Sequence, residues 1–289
     1  MDEREALRRL ASTLPGAGDD AAVVDGLVVT TDMLHESTDF PAGTTPYTAG
    51  WRAVGASLSD VAAMGADPIA AVAAYGAPSF EWDDIAAFVD GASDVCDCVG
   101  GEYVGGDLDN HEEFTVATTA LGRTEDPVYR SGASPGDAVC VTGTLGRSAL
   151  AIELFRRGET ERADELFRFE PRTEAGKVLG RVATAMMDSS DGLARSLHQL
   201  ADASECGFAI ESPLPIDDRL DDVVDNSREK LERGVFFGED FELVCTLPVD
   251  ECSRVEVELS VPLTRIGTVT DDDVTLDEES LPDRGYTHG

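Results

Sequence analysis

Lysine is almost missing from this chain: of 22 basic residues among 289, only Lys177 and Lys230 are lysines. Neither sits in a glycine-rich loop, and no Gly-x-x-x-x-Gly-Lys-Ser/Thr sequence occurs, so the usual P-loop grip on phosphate is excluded. A kinase-like lysine strand and a His-Arg-Asp loop are missing too. Histidines are few: His35, His111, His198 and His288. His198 falls within a helix and reads as packed or surface, while His35, just beyond a hairpin aspartate, stays open as a site residue. No nucleophile–base pair stands out, which disfavours covalent catalysis. The six cysteines lack zinc spacing, and the close pair Cys96 and Cys98 reads as two thiols on a small-residue helix. No apolar run approaches the roughly 20 residues of a membrane span. Met1, Asp2, Glu3 and Arg4 do not read as a signal peptide, so a cytoplasmic location with reduced thiols is expected. No basic patch is visible, which argues against nucleic acid as a partner.

Acid is abundant instead. The chain carries 58 Asp and Glu and a formal net charge of −36. A hydrophobic content of 42% argues against a disordered acidic chain. Such acid excess with so little lysine resembles proteins of salt-loving cells, where carboxylates keep a surface hydrated. At molar salt the Debye length falls to about 3 Å, so this charge would not steer ligands over distance. The length suggests about two domains.

Several aspartates nevertheless lie inside apolar or glycine-rich runs, where an isolated carboxylate is costly. Ala21 to Val24, then Asp25-Gly26, then Leu27 to Thr31 reads as a β-hairpin with a two-residue turn. Extending that register sets Asp20 opposite Thr31 and Asp19 opposite Asp32, a like-charge pair that wants a cation. Pro46 to Met64 reads as a buried helix capped by Thr45 and closed by Gly65, with Asp60 on the face of Ala53, Ala56, Ser57 and Met64. A second helix spans about Trp82 to Val99. Gly105-Gly106-Asp107 follows Tyr103-Val104, and a strand is expected from Phe114 to Leu121. The turn-rich run Tyr129 to Asp137 marks a domain boundary, giving domains 1–133 and 134–289. Beyond it come a strand at 138–142, a helix to about Arg157, an acidic stretch to Glu170, and a helix near Thr173 to Ala183. A strand at 185–187 ends in Asp188, and Ser189 or Ser190 is a candidate cap for the next helix, with a stripe of Leu193, Leu197, Leu200 and Ala201. Residues 217–232 read as a solvated, charged excursion, and Phe241 to Leu247 as a strand.

Glycines beside aspartates let backbone approach phosphate oxygens while the carboxylates take bridging divalent ions. A helix start such as the one after Asp188-Ser189-Ser190-Asp191-Gly192 also favours an anion, although for Asp191 taken alone plain helix-dipole stabilisation is the favoured reading.

In order, Gly18 to Ala21, Thr30-Thr31-Asp32, Leu58 to Pro68, Gly105-Gly106-Asp107, Arg130 to Asp137, Val141 to Thr144, Asp188 to Leu193, Gly238 to Leu243 and Gly285 to Gly289 resemble the thiamine-monophosphate kinase family. Its superfamily includes aminoimidazole ribonucleotide synthetase and selenophosphate synthetase. The resemblance implies an α+β fold of two domains, with N-terminal domains pairing through their sheets into a homodimer barrel. It also implies transfer of the ATP γ-phosphoryl group to thiamine monophosphate with several Mg2+ ions. By position, Asp20, Thr30, Thr31, Asp32, Asp60, Asp107, Asp188 and Asp191 would hold metal. Gly106, Asp107, Arg130 and Ser190 would contact ATP, and Asp60, Asp107, Arg130, Asp188 and Asp191 would serve catalysis. Asp39, Glu239 and Tyr286 would lie at the substrate. The family often has His-Phe where this chain has Asp39-Phe40, so either Asp39 meets the cationic thiazolium or that contact is lost. Phe237 replaces a usual glycine and Leu108 a usual threonine. An aminoimidazole ribonucleotide synthetase-like ligase and a non-catalytic nucleotide-binding dimer are the alternative readings.

Overall fold

Asp25 and Gly26 both take positive φ (50° and 77°), the conformation a two-residue hairpin turn requires, and they join β1 (Ala22–Val24) to β2 (Leu27–His35). The computed structural model describes residues 16–286 together with Ala6, Arg9, Leu10, Thr13 and Leu14. The opening residues Met1 to Glu5 and the end of the last family motif, Thr287, His288 and Gly289, lie outside them. The hairpin has the expected register, Val24 opposite Leu27, but its ladder stops at Ala22. Asp19 and Asp20 therefore do not face Asp32 and Thr31. Arg130 draws them away, its amide donating to Asp19 Oδ1 at 2.8 Å and its guanidinium to Asp20.

The first sheet runs β1-β2-β5-β3-β4, with β3 at Asp67–Ala77, β4 at Glu102–Asn110 and β5 at Thr115–Arg123. The Pro46–Ala63 helix starts as expected, with the Thr45 side chain accepting from the Thr48 amide and Pro46 in its first turn. It packs backbone to backbone on the Trp82–Cys98 helix. A Cβ on Gly50 would stand 2.0 Å from the Phe88 carbonyl, and one on Gly91 1.9 Å from that of Tyr47. β4 runs through Gly105-Gly106-Asp107, where paired glycines mask the strand signal.

The second sheet runs β12-β11-β8-β10-β6-β9-β7, from β6 (Ala138–Thr142) and β7 (Ala185–Asp188) through β8 (Gly207–Ile210), β9 (Leu243–Leu247), β10 (Leu263–Thr270), β11 (Val274–Leu276) and β12 (Glu279–Ser280). Its helices include Arg147–Arg156, Thr173–Leu179, Leu193–Ser204 and Ser227–Phe236. The acidic stretch before Glu170 contains a further helix, Thr160–Phe167, because Ala163, Asp164 and Phe167 form a buried face beneath its charges. The following helix ends at Leu179, short of Ala183. The 217–232 region is not simply solvated: Asp218–Asp222 is a 3-10 turn that buries Leu220, and a helix begins at Ser227. Neither Ser189 nor Ser190 caps the Leu193–Ser204 helix, whose N-cap is Gly192.

The Pro46–Ala63 helix joins the two halves. Its Leu58 shares a core with Phe88, Leu150 and Leu154, while its Ala62 and Ala63 share another with Cys140, Leu179 and Met186. Asp60 is thereby set against the end of β7. No described helix is long and apolar enough to cross a membrane.

Candidate active site at the junction of the two sheets

Three remote carboxylates meet here. Asp20 comes from the turn before β1, Asp60 from the C-terminal half of the buried helix and Asp188 from the end of β7, with one oxygen of each lying within 4.8 Å of the others. Hydroxyls line the group. Thr30 Oγ1 donates to Asp60 at 2.5 Å, Ser59 Oγ to Asp188 Oδ2 at 2.7 Å, and Ser190 Oγ to Asp188 Oδ1 at 2.9 Å. Asp32, on β2, accepts at 2.6 Å from the hydroxyl of Ser57, which lies one helical turn before Asp60. Among the described residues the cation paired with the group is Arg130, which forks onto Asp20 through Nε (3.1 Å) and Nη2 (3.0 Å).

One guanidinium does not balance three carboxylates, of which Asp20 and Asp188 are buried and Asp60 half-buried. Burial pushes the Asp188 carboxyl up to about 7, with facing Asp20 adding to the shift. Burial, then Asp32, Asp188 and Asp20, hold the Asp60 carboxyl well above the usual range. Arg130 is desolvated, yet Asp20 holds its proton more tightly than usual. Hard oxygen donors at this spacing, with unbalanced negative charge, fit Mg2+ in their chemistry. A carboxylate oxygen carrying one hydrogen bond keeps a lone pair for metal, so the Arg130 fork does not close Asp20.

A second cluster lies beside the first. The 188–192 and 238–242 loops are stitched together by Glu239 N to Ser190 O (2.6 Å), Ser189 N to Glu242 O (2.8 Å) and Glu242 N to Ser189 Oγ (3.0 Å). Glu239 takes φ 57° there and points a carboxylate oxygen to within 3.4 Å of Arg52 Nη2. Asp39 is buried, accepting from His35 N and Thr38 Oγ1 at 2.7 Å and from the Tyr286 hydroxyl at 3.1 Å. Near Asp39, Thr38 and Phe40 border a cleft of about 760 Å³, lined also by Phe114, Phe155, Glu36 and Asp84.

The N-terminal domain model of AIR synthase related proteins matches residues 18–124, and the C-terminal domain model matches 134–277. The chain is 59% identical to a thiamine-monophosphate kinase of Halobacterium salinarum, covering 100% of both chains. The chain belongs to the thiamine-monophosphate kinase family. A thiamine-monophosphate kinase of Methanospirillum hungatei is 40% identical over 100% of this chain and 99% of its own. A solved structure described as AaThiL complexed with AMPPCP and TMP has a TM-score of 0.89 at 29% identity, covering 100% of this chain and 97% of that one.

Not every residue named by family position reaches the cluster. Side chains alternate along β2, so Thr30 and Asp32 face the helix while Thr31 points outward, donating to the Thr118 carbonyl at 2.8 Å. Gly106 and Asp107 lie on edge strand β4, separated from β2 by β3 and β5, about 14 Å at ordinary strand spacing. Asp107 is exposed and accepts from the Leu108 amide. Gly106 has a local reason to be glycine: a Cβ there would lie 1.7 Å from the Ala73 carbonyl. Asp191 is half-buried, and its carbonyl accepts from the Tyr286 amide at 3.0 Å.

The sequence offers a reason to single out Thr30, Arg130, Ser190 and Tyr286 among the non-acidic residues, but none for Ser59, which donates to Asp188. Arg52 is 1% exposed, with its guanidinium 3.6 Å over the Phe167 ring and burial lowering its pKa. An arginine in a helix of small residues was its available signal. Arg147, whose Nη2 is buried without a hydrogen-bond partner, had none. His35 contacts Thr115 at 3.0 Å and is half-buried away from the three carboxylates, while His198 packs against the Leu281 carbonyl.

Proposed function

We propose that this chain transfers the terminal phosphoryl group of ATP to thiamine monophosphate, giving ADP and thiamine diphosphate. The observation that carries this is the convergence of Asp20, Asp60 and Asp188 in a chain of this family. Asp20, Asp60 and Asp188, with Asp32 beside Asp60 and Asp191 one turn past Asp188, would hold Mg2+, which when bound neutralises phosphate oxygens. Thr30 and Ser59 orient two of these carboxylates. Arg130, fixed by Asp20, adds a positive group where charge spreads over the transferred phosphoryl. The acceptor is a phosphate oxygen whose second ionisation lies near pH 6, so it needs no strong base. Its bond to the γ-phosphorus forms as the bond to ADP breaks, and alignment is the chain's main contribution.

Asp39, Glu239 and Tyr286 would line the acceptor. The aromatic cleft beyond Asp39 suits its two rings, with Glu36 and Asp84 complementing the thiazolium charge. Ser190 would contact the nucleotide. Gly106 and Asp107 would do so only with a second copy present, given their distance from β2. The outer face of the first sheet exposes Met33, Val72 and Val104 at 54%, 37% and 60%, an apolar surface suited to such a homodimer. We take the domain division at 133/134 and the location as cytoplasmic. Purified protein incubated with ATP, Mg2+ and thiamine monophosphate in concentrated KCl should form thiamine diphosphate. Folded, ATP-binding protein that forms none would refute the reading.

A further inference from the structure

We propose that Arg195 is a positioning residue: it latches the C-terminal segment so that Tyr286 is held against both the Asp191 loop and Asp39. The proposal rests on the phosphorylation reading above, in which Tyr286 lies at the acceptor. Residues 281–286 form neither helix nor strand, and Pro282, Asp283 and Arg284 are exposed. Such a segment frays unless it is tied down. Arg195, 5% exposed in the first turn of the Leu193–Ser204 helix, places Nε 2.8 Å from Asp283 Oδ1. The same helix holds the segment at its start, where His198 Nε2 meets the Leu281 carbonyl at 2.8 Å.

Two residues beyond Asp283 the chain passes close to the site. A Cβ on Gly285 would lie 2.2 Å from the Asp191 carbonyl and 2.8 Å from Arg195 Cβ, so only glycine fits. Tyr286 then donates its amide to Asp191 O at 3.0 Å and its hydroxyl to Asp39 Oδ1 at 3.1 Å. The acceptor wall and the phosphate-side loop are thus joined through one unstructured segment. Its ion pair to Arg195 has a desolvated cationic end, and losing Asp283 would weaken the compensation of that buried charge. Pre-ordering Tyr286 lowers the ordering cost of acceptor binding, whereas the phosphate-side loop keeps its separate ties to the 238–242 loop and the nucleotide end is less affected.

Asp283→Asn, Arg195→Met and Arg195→Lys in the full chain test this. Asp283→Asn and Arg195→Met should raise KM for thiamine monophosphate by about ten-fold while KM for ATP stays within about two-fold. Arg195→Lys, which keeps the charge, should recover most of the acceptor affinity. In a Tyr286→Phe background, Asp283→Asn should add less than it does alone, because both act through one contact chain. Amide exchange across 281–286 should quicken in Asp283→Asn and stay near wild type in Arg195→Lys. Unchanged exchange in Asp283→Asn, or equal rises in both KM values, would overturn the latch. If the wild type forms no thiamine diphosphate, the exchange result still decides the latch, and only the assigned reaction falls.

Discussion

Asp218 and Asp221 stand with side chains 98% and 63% exposed and share the Lys230 ammonium at 3.0 and 2.9 Å. Asp188, in the same acidic chain, is 1% exposed and shares its space with Asp20 and Asp60. The first pair is solvated, so its energetics are small and sensitive to salt. In the second group burial and mutual repulsion add, and Asp60 and Asp188 are both pushed towards the neutral form. Charge content therefore says little about role. What separates the two regions is whether water or the chain itself surrounds the carboxylate. Asp164 belongs to neither: it is buried, yet accepts from Thr45 N, Thr48 Oγ1 and Arg168, and so needs no ion.

The largest effect should come from breaking the buried group. Asp60→Asn should lower kcat by about a thousand-fold while leaving the fold intact. With one repelling charge gone, Tm of the metal-free variant should rise by about 3 °C, which thermal scans in a chelator would show. Arg130→Met should act oppositely on stability. It leaves the Asp20 side chain, 1% exposed, without its cation and should cost about 3 kcal/mol in denaturant titrations run without Mg2+.

Asp240 sharpens the contrast, being buried but held by the Gly146 and Ser148 amides at 2.5 and 3.0 Å. Burial raises its carboxyl to about 7 from an ordinary value near 3.8. The folded state then binds more protons than the unfolded state between these values, so this group's contribution to stability falls as pH rises from about 4 to about 7. Asp240→Asn should flatten that part of the stability–pH curve, and an identical slope would remove Asp240 as its source. The smallest effect belongs to the solvated pair: Asp218→Asn with Asp221→Asn should leave kcat unchanged and move Tm by no more than about 1 °C.

Asp60 was legible because a carboxylate in a small-residue helix has few innocent explanations. The hairpin and its turn were legible from Asp25-Gly26 alone. What lay beyond them was not, because Arg130, more than a hundred residues away, sets the course of Asp19 and Asp20. Thr31 could have been separated from Thr30 and Asp32 by strand alternation, once β2 was known to continue through them. Asp107 needed strand order, which no local motif encodes. The Thr160–Phe167 helix was hidden by its acidity, since its apolar residues are Ala163, Leu166 and Phe167, interrupted by Asp164 and Glu165. The C-terminal segment gave no periodic signal at all, and its role emerges only from where Gly285 and Tyr286 touch the rest.

The decisive measurement is calorimetric titration of Mg2+, in concentrated KCl, into the wild type, Asp60→Asn and the Asp218→Asn/Asp221→Asn double variant. Binding in the wild type and the double variant, but not in Asp60→Asn, is the expected result. Equal Mg2+ binding by all three proteins would show that the buried carboxylates are not the metal centre.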